Sequence, residues 1–141
     1  LYKQRVLYQM PIFIRWDDPD KTIIRQTYDG NWDVSDMHKT FDEIQQMRAE
    51  VDHPINIIAD MSYSRLASGN VLTVLSRAER IFLTEVNIAV VIGANSYLKA
   101  LTNIATRLAP KALGRMHFAT SVEEAYTIIE RYSKVEVIPE S

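Results

Sequence analysis

The sequence predicts an α/β fold: a mixed, mainly parallel sheet with an N-terminal antiparallel hairpin, then alternating helix–strand units with about four helices. Three observations carry this. Two β-type runs surround an early turn signal, apolar residues then recur at helical spacing, and short apolar runs alternate with those stripes. At 141 residues, with 47% hydrophobic and 24% charged side chains, the chain fits one globular domain over residues 1–141. A chain of this size buries about 68% of its unfolded surface, so its core needs no disulfide or metal staple.

The first run, Val6 to Trp16, is rich in Ile, Phe, Tyr and Trp, and Ile23 to Tyr28 is the second. Asp17-Asp18-Pro19-Asp20 between them reads as the turn of a hairpin. Pro11 marks the first run as an edge strand or as two short ones. Asp29-Gly30 reads as a second turn, after which the period becomes helical. Met37, Phe41, Ile44, Met47 and Val51 form a stripe, with Glu43, Gln46 and Glu50 off it. Asp33 or Ser35 is placed to cap this helix, and Pro54 stops it near Asp52-His53.

Ile55-Asn56-Ile57-Ile58-Ala59 reads as a short buried strand, followed by a helix stripe at Val71, Leu75, Ala78 and Phe82. Asn87 to Ile92 is almost continuously apolar, as a parallel strand covered on both faces should be. Leu98, Leu101, Ala105 and Leu108 predict a third helix, stopped at or before Pro110. Met116-His117-Phe118-Ala119 is a short last strand. Ser121-Val122-Glu123-Glu124 is a capping box for a fourth helix, with Ala125, Ile128, Ile129 and Tyr132 inward. Residues 134–141 read as a short tail.

Sixteen Lys and Arg against eighteen Asp and Glu leave a net charge of -2, which excludes a generic polyanion binder of nucleic acid. Zero cysteines exclude a disulfide framework, a thiolate zinc site and a Cys nucleophile. His38, His53 and His117 fall on different elements without ligand spacing, so no metal site is expected, and no cofactor motif occurs. No apolar run reaches the length of a membrane span, so the expected location is cytoplasmic. A chain that begins Leu1-Tyr2 rather than with Met is expected to have lost residues at its start.

The strand-to-helix turn Gly93-Ala94-Asn95-Ser96 offers N–H groups that either hold an anion or are capped by Asn95 or Ser96. Richer in chemistry is the stretch from Ile58 to Leu72. A buried strand ends in Asp60, a polar loop with Ser62, Tyr63, Ser64 and Arg65 follows, and a helix opens at Ser68 or just after it. A serine there either caps the helix or accepts a phosphoryl group.

The order of elements and this loop resemble the STAS domain, the fold of bacterial anti-sigma-factor antagonists, and more closely its SpoIIAA-like relatives. Such domains carry Asp-Leu-Ser at a strand end and Asp-Ser-Ser-Gly-Leu at the next helix start. Asp60-Met61-Ser62 is similar to the first motif, and Ser68-Gly69-Asn70-Val71-Leu72 stands at the second. Asp29-Gly30-Asn31-Trp32, Val91-Ile92-Gly93 and Phe118 to Ala125 fit as well, so the similarity runs from Val6 to Tyr132. Asn70 occupies the phosphoserine position and cannot be phosphorylated; Ser68 is the nearest replacement.

The resemblance implies a noncatalytic regulatory module of bacterial signalling. It would bind a protein partner, a regulator or a kinase-type protein, at Asp60, Ser62, Tyr63, Ser64, Arg65, Ser68, Gly69 and Asn70. Two other readings stay open. A SpoIIAA-like fold also resembles lipid-exchange domains of the CRAL-TRIO type, in which Leu66, Val71 and Phe82 would line a cavity for a small apolar ligand. A hydrolase or transferase would use Asp60 and the loop serines. A homodimer is a further possibility, through Tyr8 or Tyr97, Trp16 and Trp32, or through pairing of the first strand as an uncovered edge.

Overall fold

Asp18 closes the first turn. Its carboxylate accepts the N–H groups of Thr22 and Ile23, each at 2.9 Å, and the Thr22 hydroxyl, while Lys21 takes a left-handed φ of 56°. Burial pushes the Asp18 carboxyl up, but these bonds outweigh it and hold the group below the usual carboxylate range. The turn joins β1 (Ile12–Trp16) to β2 (Ile23–Asp33) as an antiparallel pair, with Ile12 opposite Tyr28 and Trp16 opposite Ile24. The computed structural model describes residues 12–68, 71–95, 99, 100, 103, 106, 107 and 110–137, so Pro11 and the start of the first predicted strand lie outside it.

β2 leads into α1 (Val34–Arg48), which Asp33 caps: its side chain accepts the Asp36 N–H at 2.9 Å, and the Asp36 carboxylate accepts the Asp33 N–H at 3.0 Å. Met37, Phe41 and Ile44 are buried as the stripe predicts. The helix ends at Arg48, short of the predicted Asp52, because the chain tightens: Glu50 N–H bonds to Met47 O and Val51 N–H to Arg48 O.

Next come β3 (Ile55–Ser68), α2 (Val71–Thr84), β4 (Val86–Ile92), the single-turn α3 (Pro110–Leu113), β5 (Met116–Ala119) and α4 (Val122–Val137). The third predicted helix, Leu98 to Leu108, falls mostly outside the described residues, although 99, 100, 103, 106 and 107 are helical. Three helices longer than one turn are therefore described, where the sequence predicts about four. α4 opens as expected, with the Ser121 hydroxyl accepting the Glu124 N–H at 3.1 Å, and it continues through Lys134, the start of the expected tail.

The sheet has strand order β1-β2-β3-β4-β5, with β2 to β5 parallel and β1 antiparallel at the edge. Two cores sit on its faces. On one, Met37, Phe41 and Ile44 of α1 and Ala78 and Ile81 of α2 pack on Ile24, Tyr28, Ile57, Ala59, Ala89 and Val91. On the other, Ala125 and Ile129 of α4 cover Ile58, Ile88, Val90 and Ile92. β4 feeds both cores, which is why nearly every residue in it is apolar. Arg77 ties α1 to α2: it donates to His38 O at 3.0 Å, Gln45 Oε1 at 3.2 Å and the Asp42 carboxylate, and lies over the Phe41 ring.

Candidate functional site

Two of the sequence expectations change at the carboxyl end of the sheet. Asp29-Gly30 is no turn, and the polar residues after Ala59 are no loop. β2 continues to Asp33 and β3 to Ser68, and the two pair in parallel beyond the end of β4, with Asp29 opposite Tyr63, Asn31 opposite Arg65 and Asp33 opposite Ser68. The cause is tertiary pairing, which overrides the turn chemistry of Asp-Gly and the polarity of Ser62 to Ser64. Gly30 accommodates the extended ribbon with a φ of +71°.

Asp60 stands where this ribbon leaves the sheet. It pairs with Thr27 on one side and Ile92 on the other, and it is buried. The next pair is Asp29 with Tyr63, so β3 carries one more residue than β2 over this step and bulges at Met61-Ser62. Asp60 Oδ1 accepts the Ser62 N–H at 3.0 Å, satisfying a donor that the bulge removes from the ladder, and Ser64 Oγ donates to Met61 O at 3.0 Å. Met61 turns into the core. Ser62 and Tyr63 turn outward, and Tyr63 is 71% exposed.

Gly93 ends β4 against the same bulge. With φ at +72°, a Cβ built on it would lie 2.6 Å from Ser62 Oγ and 2.7 Å from Ser62 Cα. The structure thus joins two regions that the sequence offers separately, the Asp60–Ser64 stretch and the Gly93 turn. Gly93 N–H also reaches Ala119 O at 3.4 Å, which draws in the end of β5. Asn95 is exposed, and its carbonyl accepts the Lys99 N–H at 3.1 Å. Ser96, Gly69 and Asn70 lie outside the described residues, as do the side chains of Arg65 and Ser68.

Sequence reasoning missed the tip of β2. Asp29, Gly30 and Asn31 are exposed beside Tyr63, while Trp32 beyond them is buried with its ring 5.3 Å from Tyr28 in an edge-on contact. The available signal was the alternation Ile24, Gln26, Tyr28, Trp32, which keeps period two through Gly30. The aromatic pair anchors the ribbon to the core, leaving its polar tip in solvent. Burial also pushes the Tyr28 hydroxyl well above the ordinary tyrosine value.

The histidines lie apart. His38 meets Arg77, His53 Nδ1 is 3.0 Å from Pro54 O, and the His117 ring packs on Tyr132. An open groove of about 520 Å³ between α1 and α2 is lined by Gln45, Arg77, Arg80, Ile81 and Thr84. Among the described residues no helix is long and apolar enough to cross a membrane.

No family model matches the chain, and no curated protein is significantly similar to it. A solved structure does match. A protein of the DUF3478 family from Shewanella loihica PV-4, described as uncharacterized and as having a SpoIIAA-like fold, superposes with a TM-score of 0.61. The alignment covers 82% of this chain and 91% of that one at 17% identity. The fold is SpoIIAA-like. In a SpoIIAA-like sheet of this order, the Asp60 bulge and the Gly93 turn sit together at the carboxyl ends of the parallel strands, the edge where α/β folds commonly build sites.

Proposed function

We propose that the chain is a noncatalytic regulatory module that binds a protein partner at the tip of the β2–β3 ribbon and the start of α2. The observation that carries this reading is Tyr63, a large aromatic held in solvent at 71% exposure on a braced strand rather than a free loop. Aromatics placed this way are the usual anchors of protein contacts. Ser62, Ser64, Asp29 and Asn31 supply a polar rim around it. Arg65, Ser68, Gly69 and Asn70 continue the same stretch, and Ser68, two residues before the intervening Asn70 and close to Val71, is the proposed phosphoacceptor. A phosphate there would add charge beside the docking surface.

Of the groups a hydrolase would use, Asp60 and the loop serines, Asp60 and Ser64 are engaged in backbone hydrogen bonds at the bulge, which favours a bracing role for these two. The side chains of Leu66, Val71 and Phe82, which would line a carrier's cavity, lie outside the described residues.

The test is affinity capture from bacterial lysate at native salt with the wild type and Tyr63→Ala, the captured proteins being identified by mass spectrometry. A specific partner retained by the wild type and lost by the folded variant is expected. Recovery of no specific partner, or retention of the same one by Tyr63→Ala, overturns the reading. Intact mass after incubation with lysate and ATP checks the switch separately, a phosphate mapped to Ser68 being the expected product.

A further inference from the structure

Besides Tyr63, two large hydrophobic side chains are markedly open to solvent among the described residues: Phe13 at 40% and Tyr126 at 39%. They flank one stretch of surface. α4 packs on β3, β4 and β5, and the β1–β2 half of that face has no described helix over it. Strand alternation directs Ile12, Ile14 and Trp16 to the opposite core, so Phe13 and Arg15 stand on the uncovered side, opposite Thr27 and Arg25.

The charges on this face are segregated. Arg25 and Arg15 approach the same Asp17 carboxylate, at 3.5 and 3.6 Å, so two guanidinium groups share one carboxylate. The Tyr126 hydroxyl donates to Asp17 as well, which ties α4 to the hairpin. The Arg15 side chain remains 63% exposed. On α4, Glu123 and Glu130 are exposed about one turn to either side of Tyr126. A basic strip with an aromatic (Phe13, Arg15) therefore lies beside an acidic strip with an aromatic (Glu123, Tyr126).

A surface divided in this way is its own complement. A two-fold rotation lays the basic strip of one copy on the acidic strip of the other, twice per interface. We infer that this face, Phe13 and Arg15 on β1 with Tyr126 and Glu123 on α4, is the contact between two copies of the chain. The dimer buries both aromatics and pairs Arg15 of each copy with the acidic strip of its twin. Of the aromatics that the sequence offers for self-association, Trp32 is in the core and Trp16 packs against it, and Tyr8 and Tyr97 lie outside the described residues.

Sedimentation equilibrium from about 1 to about 100 µM tests this, with Phe13→Asp, Arg15→Glu and the exchange Arg15→Glu/Glu123→Arg. The wild type is expected to be dimeric within that range. Each single variant should weaken association about tenfold or more while the monomer stays folded by circular dichroism, and the exchange should restore it. A wild type that stays monomeric overturns the inference, as does a dimer that neither single variant weakens or an exchange that restores nothing. Tyr63→Ala should leave the dimer intact, which separates this result from the partner-binding test.

Discussion

A methyl group added to Gly93 would press on the Ser62 backbone from 2.7 Å, on a chain whose φ of +72° already disfavours any side chain. Neither problem relaxes easily, because Ser62 is itself held by the Asp60 carboxylate. Gly93→Ala should therefore destabilise the protein by about 2–4 kcal/mol, strain and overpacking together. A urea unfolding curve measures it, and an unchanged midpoint would mean that the bulge can yield. The sequence marks Gly93 as a turn between a buried strand and a helix, but not its contact with Ser62, which depends on β3 and β4 lying side by side. Local chemistry was easier to read. Asp33 as a cap and Ser121 with Glu124 as a capping pair concern residues within one turn of each other. Arg77 meeting His38, Asp42 and Gln45 from another helix leaves no such trace.

At the scale of elements, β3 divides into two halves with different neighbours. Ile55 to Asp60 is flanked by β2 and β4, whereas Tyr63 to Ser68 pairs with β2 alone among the described residues. A two-stranded ribbon protects its amides less than the centre of a sheet. Hydrogen exchange should thus run at least about tenfold faster in residues 63–68 and 29–33 than in 55–60 and 23–27. Equal protection would mean that a further segment closes the ribbon's edge. The strands before this point were legible because apolar runs such as Ile55 to Ala59 admit few alternatives. The ribbon was not, since Asp29-Gly30 and Ser62-Tyr63-Ser64 favour turns locally and become strand only by pairing with each other.

Over the whole molecule, stability is set by two cores that share β4, and among the described residues α4 is the helix that roofs the second. His117 belongs to the roofed side, its ring 4.6 Å from that of Tyr132 and its Nε2 buried without a hydrogen-bond partner. Burial lowers its pKa below the ordinary 6.5, and the Arg131 charge adds to the effect. The unfolded chain then takes up a proton at higher pH than the folded one, so stability falls as the pH drops through the ordinary histidine value. Urea midpoints at about pH 7.5 and about pH 5 should differ in that sense, and His117→Gln should reduce the difference. A difference that the variant leaves untouched would assign it to other groups. The overall topology was open to sequence reading, because alternating stripes and apolar runs leave few parallel arrangements.

The strand order repeats the order of the chain, and this has a consequence for synthesis. As the polypeptide leaves the ribosome, each new strand can add beside the one before it, and no strand waits for a partner made much later. Among the described elements α4 is made after the five strands, and until it is made Ile58, Ile88, Val90 and Ile92 have no described helix over them. A nascent chain stopped before Val122 therefore carries all five described strands with one adhesive face, a form that a chaperone would shield.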